Sequence, residues 1–82
     1  MKFSPGDIAW VQHWFDDWDG CNSGWRLATW EGSEQVVTFV RYVEGDGAPQ
    51  AEVLDPRHGT FVTYDEYLVG EKEANNLRRM NR

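Results

Sequence analysis

Three tryptophans, one phenylalanine and three aspartates fall within thirteen positions of this chain, in the stretch "HWFDDWDGCNSGW" (residues 13–25). Aromatic ring faces attract an ammonium or guanidinium group by about 0.5–2 kcal/mol per contact, more as the site is dried. Carboxylates beside such rings would steer a cation toward them. Trp14, Phe15, Trp18 and Trp25 are therefore candidate binding rings, with Asp16, Asp17 and Asp19 as candidate rim charges. The competing reading makes Trp10, Trp14, Trp25 and Trp30 the core of a small domain. It suits Trp10 and Trp30 better than Trp14 and Trp18, whose aspartate neighbours imply solvent.

Other chemistry is poorly served. Aligning Asp17, Asp19 and Gly20 with the third, fifth and sixth positions of an EF-hand loop puts Phe15 first and Arg26 twelfth, where acids are required. A looser oxygen site would draw on Asp16, Asp17, Asp19 and Asn22. A transition-metal site would need His13, Cys21 and His58 to converge from separate turns, without the close pair spacings typical of zinc. Cys21 sits in an acidic loop that disfavours its thiolate, and there is no glycine-rich phosphate cradle. The expectation is a protein that is not an enzyme and that uses no cofactor.

Eighty-two residues suffice for one domain, because two would each be too small to hold a core. The single cysteine cannot form an internal bridge, the opening "MKFSPGDIAW" lacks a signal-peptide apolar stretch, and no apolar run reaches the roughly 20 residues of a membrane helix. A cytoplasmic protein without a membrane partner is expected. Residues 1–70 carry twelve acids against four bases, whereas residues 71–82 carry two acids against four bases, for a formal net charge of −6 overall. This divides the chain into an acidic domain (1–70) and a basic C-terminal tail (71–82). An acidic body repels phosphate, which argues against direct nucleic-acid binding and favours a basic protein or peptide.

Positioning these side chains falls to short elements punctuated by turns at "DGCNSG", "EGSE", "EGDGAP" and "DPRHG". The intervening "WRLATW", "QVVTFVRYV", "QAEVL" and "TFVTY" are rich in β-branched and aromatic residues and read as strands. Simple alternation in "QVVTFVRYV" puts Val37, Phe39, Arg41 and Val43 on one face and Val36, Thr38, Val40 and Tyr42 on the other. Residues 5–19 support two readings: a strand through Ile8, Trp10 and Val11, or a helix opened by Ser4 and Pro5 and stopped by Gly20. Thr63 and Glu66 form a capping-box pattern for a short helical turn in "YDEYLV", closed by Gly70. Ala74, Leu77 and Met80 then align on one face of a C-terminal helix that is marginal alone.

"FSPGDIAWV" followed by "GWRLA" resembles the opening of small SH3-like barrels, the Tudor type in particular, and the likeness extends over residues 3–69. It implies an all-β fold: a five-stranded SH3-like barrel with a short helical turn and a possibly helical tail. The alternative is an α+β fold with a helix over 5–19 packed on a four-stranded antiparallel sheet. The resemblance makes residues 13–24 the loop after the first strand and groups Trp14, Phe15 and Trp18 at one barrel mouth near Trp25 and Tyr42. The chain lacks both the strand and loop that precede Gly-Asp in signalling SH3 domains and the Asp-Tyr-Gly turn of Tudor domains. Neither polyproline nor methylated-residue recognition therefore follows.

Two functions of different kinds are expected from this reading. One is a non-catalytic interaction module that grips a basic protein or peptide. The other is a small acidic inhibitor of phage or mobile-element type that imitates nucleic acid, as in anti-CRISPR or anti-restriction proteins, with Glu31, Glu34, Glu44, Asp46 and Glu52 spread along one face. A homodimer that buries exposed aromatics is a third option.

Overall fold

A computed structural model describes residues 2–16 and 23–80. The fold is mostly β, a curled antiparallel half-barrel of the small SH3-like kind with one short C-terminal helix. Its strands are β1 (Ile8–Phe15), β2 (Gly24–Leu27), β3 (Thr29–Trp30), β4 (Ser33–Glu34), β5 (Val36–Val43), β6 (Gln50–Asp55), β7 (Gly59–Tyr64) and β8 (Leu68–Val69), followed by helix α1 (Glu71–Met80). The main sheet runs β2-β1-β5-β6-β7, with β8 on β1, and β3 and β4 form a separate hairpin.

Of the two readings of residues 5–19, the strand is realised over Ile8–Phe15. β1 pairs with β5 over Ile8, Ala9 and Trp10, with β8 over Trp10 and Val11, and with β2 from Gln12 onward. The change of partner occurs at Val11, whose N–H donates to the Gln35 carbonyl (3.1 Å) and whose carbonyl accepts from Ala28 N–H (2.8 Å). These long-range bonds select strand over helix where the local sequence permits both. The same junction splits the expected strand "WRLATW" at Ala28. Beyond it the β3–β4 hairpin turns through Glu31 (φ 51°) and Gly32 (φ 80°), the two left-handed residues of the tight hairpin turn that matches strand twist.

The core comprises Ala9, Val37, Phe39, Ala51, Val53 and Leu68, with Phe3, Val11, Tyr42 and Phe61 packed around it. Simple alternation along β5 fails at one point. Phe39 lies opposite Val53, but Arg41 lies opposite Glu52, so Val40 is an extra residue forming a bulge. The phase shifts by one, and Tyr42 rather than Arg41 or Val43 joins the Phe39 face, its ring 4.7 Å from that of Phe39. Arg41 instead pairs outside with Glu52 at 2.6 Å.

The expected turn in "YDEYLV" is shorter than its sequence pattern. A 3-10 turn spans only Asp65–Tyr67, starts at Tyr64 and has no side-chain cap, so the Thr63/Glu66 capping box is not made. Leu68 and Val69 continue as β8 because both are buried on opposite sides of the sheet. Leu68, opposite Val11, enters the core, while Val69, opposite Trp10, faces outward beneath α1.

Helix α1 is held by tertiary contacts rather than by its own propensity. Ala74 is fully buried, and the Arg78 guanidinium lies 5.6 Å from the centre of the Trp10 ring. Arg78 also forms a two-pronged ion pair with Glu34, with Nη2 donating to Oε1 at 2.7 Å. That pair holds the Glu34 carboxyl below its ordinary range. Replacing Ala74 with Asp, which would put an unpaired charge under the helix at a cost of several kcal/mol, is expected to undock α1. Amide exchange should then show protection lost over residues 71–80 and kept in β5 and β6; unchanged helix protection would refute this account of its docking.

Candidate functional site

The outer face of β1 carries Trp10, Gln12 and Trp14, since alternate residues of a strand share a face. Trp14 lies directly opposite Trp25 of β2, and the two rings meet edge to face with centroids 5.6 Å apart. Trp25 meets Tyr67 at 5.7 Å, and Tyr67 meets Tyr64 at 6.0 Å, both in edge-to-face geometry. Four rings from three strands and a turn thus form one ladder across the outside of the half-barrel. Its two ends are open to solvent, with Trp14 54% and Tyr64 42% exposed.

The ladder is fixed from both sides. Gln12, adjacent to Trp14 on the same face, donates from Nε2 to the Glu66 carbonyl at 2.6 Å and so ties the 3-10 turn to β1. Helix α1 supplies a wall: a cleft of about 290 Å³ between it and the sheet is lined by Gln12, Trp25, Val69, Glu73, Asn76 and Leu77. The floor is apolar, and the one ionisable group on the lining is the Glu73 carboxylate. Just past the C-terminal end of β1, beside Trp14 in sequence, Asp16 is exposed and accepts a hydrogen bond from Ser23 Oγ at 2.8 Å.

The residues anticipated from sequence divide into three groups. Trp14 and Trp25 are brought together, with Asp16 two positions from Trp14. Phe15 points to the opposite face of β1, where the Arg26 guanidinium already covers its ring at 3.8 Å. Tyr42 does not join the ladder. Its hydroxyl accepts from the backbone N–H groups of Lys2 (2.8 Å) and Phe3 (3.1 Å) and donates to Asp65 at 3.0 Å. Burial pushes the Tyr42 phenol above its ordinary range, with the Asp65 carboxylate acting in the same direction. It is a tether for the N-terminal segment. Asp17, Trp18 and Asp19 lie outside the described residues, as does Cys21.

Tyr64, Tyr67 and Glu73 were not anticipated. Their sequence signal was the three-residue spacing of the tyrosines in "YDEY", together with the apolar positions Ala74 and Leu77 that dock the helix beside them. Trp10 is partly buried beneath Arg78, whereas Trp30 is half-exposed and meets His58 edge to face at 4.8 Å. Among the described residues no group of three His, Cys, Asp or Glu side chains is placed to hold a metal ion, and no helix is long and apolar enough to cross a membrane.

The arrangement offers ring faces and edges, an apolar cleft with one carboxylate, and further acids at its margins. This suits binding of a side chain that is both planar or apolar along its stem and positive at its tip. Compared with family models, curated proteins and solved structures, the chain finds no match in any of the three.

Proposed function

We propose that this protein is a non-catalytic interaction module that binds a basic protein or peptide through the Trp14–Trp25–Tyr67–Tyr64 ladder and the adjoining cleft. The observation that carries this reading is a continuous run of four rings whose ends are exposed, beside a cleft with a single carboxylate. An arginine stacks its guanidinium on such rings and presents its charge to Glu73. The net charge of −6 attracts basic partners from a distance. A protein compartment that is cytoplasmic is part of the same proposal.

The nucleic-acid decoy is less favoured by the charge geometry. Of the five carboxylates it would use, Glu34 is paired with Arg78 and Glu52 with Arg41, so two already have cationic partners within the chain.

The test is a tryptophan-fluorescence titration with the peptide Ac-Arg-Val-Arg-Val-Arg-Val-amide. Trp14→Ala should weaken binding by about 5- to 30-fold, the equivalent of one or two kcal/mol of ring contact, with the fold intact because Trp14 is half-exposed. Glu73→Gln should weaken it less and flatten its salt dependence. Equal affinity in both variants would overturn the proposal. Unfolding of Trp14→Ala would show that the ring is structural instead.

A further inference from the structure

Strand β7 is an edge. It pairs with β6 from Gly59 to Tyr64 and with no other strand among the described residues. Exposed edges are usually blunted by a lysine, a proline or a bulge, because their unpaired backbone groups recruit other strands. Here the edge reads "GTFVTY", six residues with no charge, no proline and no bulge against β6.

The direction of its backbone groups follows from one bond. Asp65 N–H donates to the Pro49 carbonyl at 2.9 Å and continues the β6–β7 register, so position 65 is a hydrogen-bonded pair. In an antiparallel ladder such pairs alternate. Residues 59, 61 and 63 therefore spend their N–H and C=O on β6, while Thr60 and Val62 direct both of theirs, and Tyr64 its N–H, away from the sheet; the Tyr64 carbonyl opens the 3-10 turn and accepts within it. The side chains of the same three residues are exposed on the outer face. Tyr64 is also the end ring of the aromatic ladder. A row of outward donors and acceptors thus runs directly into the ring surface.

We infer that an extended segment of the basic partner adds to the sheet as a strand alongside β7, hydrogen-bonding Thr60, Val62 and the N–H of Tyr64 and laying an arginine or lysine over Tyr64 and Tyr67. This rests on the interaction-module reading and adds how the partner is held. Main-chain pairing supplies affinity with little dependence on sequence, and alternate side chains reaching the rings supply specificity. The charge of the chain selects the occupant. A second copy would set two bodies of net charge −6 side by side, whereas a basic strand is drawn to the same edge.

The test separates backbone pairing from attraction of charge. The peptide Ac-Arg-Val-Arg-Val-Arg-Val-amide is compared with two versions N-methylated on alternate residues, one in each phase, which keep every positive charge but lose the donors of one edge. Val62→Pro is compared with the native protein, because the N–H it removes points away from β6 and the β6–β7 ladder is kept. The expected result is about tenfold weaker binding for the N-methyl peptide of the pairing phase and for Val62→Pro, the loss of one or two hydrogen bonds. Undiminished binding in both comparisons would overturn strand addition and leave the basic-peptide reading standing. No binding of the parent peptide at millimolar concentration would overturn both. Sedimentation showing a native dimer that Val62→Pro dissociates would overturn the peptide as occupant and assign the edge to self-association. Val62→Thr, which keeps the N–H, should bind like the native protein, and the N-methyl peptides, measured on native protein, give a result that no folding defect in Val62→Pro can imitate.

Discussion

Replacing Phe39 with alanine is expected to remove about half of the domain's folding free energy at 25 °C. Phe39 is 1% exposed, its ring stacked on Phe3 at 5.7 Å and tilted against Tyr42 at 4.7 Å, and it stands at the centre of the core opposite Val53. Truncating a buried phenylalanine costs about 3–5 kcal/mol from lost transfer energy and the cavity left behind. A domain of this size has about 5–10 kcal/mol in total. The effect should be larger than for a surface residue of equal volume because collapse around the cavity is restricted: Phe3 is held through the backbone bond to Tyr42 Oη, and Tyr42 is held by the Val40 bulge. Urea denaturation monitored by far-ultraviolet circular dichroism measures it. A midpoint near that of the native protein would mean that Phe39 is not the centre of the core. Phe39→Leu should retain most of the stability, since it keeps most of the buried volume.

The second large effect concerns acid. Asp55 ends β6 with only 3% of its surface exposed, and its carboxylate accepts hydrogen bonds from Arg57 N–H (2.8 Å) and Gln35 Nε2 (3.0 Å). The Nδ1 of His58 lies 3.3 Å away. The Arg57 N–H bond holds the carboxyl below its ordinary range against the opposing pull of burial, with Gln35 and His58 helping. Because the folded value lies below the unfolded one of about 3.9, the ionised form contributes stability that is fully present above about pH 4. That contribution is lost as the pH falls through the folded value. Asp55→Ala leaves the partly buried Gln35 amide and the turn N–H without their acceptor and should cost about 2–4 kcal/mol at pH 7. Asp55→Asn should cost less and should make stability vary less between pH 5 and pH 2. Urea midpoints across that range check both expectations, and an Asp55→Asn profile as steep as the native one would show that other carboxylates set the acid limit.

How much of this was legible from the sequence depended on whether the information was local. The turns were, because "EGSE" and "DPRHG" carry the glycines that left-handed backbone requires, and Gly32 and Gly59 do adopt positive φ. The all-β class was legible from the β-branched runs between them. The state of residues 5–19 was not, because Ile8, Trp10 and Val11 suit both periodicities; the bonds of Val11 to Gln35 and Ala28 decide it from far along the chain. The bulge at Val40 was invisible for a related reason. With apolar residues on both faces of "QVVTFVRYV", no polar residue marks where the alternation slips, and Tyr42 was assigned to the wrong side.

The candidate site was half legible. Composition alone singled out Trp14 and Trp25, but their partners Tyr67 and Tyr64 come from the far end of the chain, brought in by the pairing of β8 with β1. Nothing local in the sequence marks Arg26 as a cover for Phe15, and its position over that ring removes it from the surface available to a ligand. Helix α1 was expected from the spacing of Ala74, Leu77 and Met80. Its part in walling the cleft with Glu73 depends on docking over Trp10 and Val69, which the local pattern does not encode.

The central claim is that the aromatic ladder is the binding surface, and the indole N–H resonances test it most directly. In a ¹⁵N-labelled sample titrated with Ac-Arg-Val-Arg-Val-Arg-Val-amide, the indole signals of Trp14 and Trp25 should shift progressively and saturate together, while those of Trp10, covered by Arg78, and Trp30, on the β3–β4 hairpin, stay in place. Saturating shifts confined to Trp10 or Trp30, with Trp14 and Trp25 unmoved, would contradict the account.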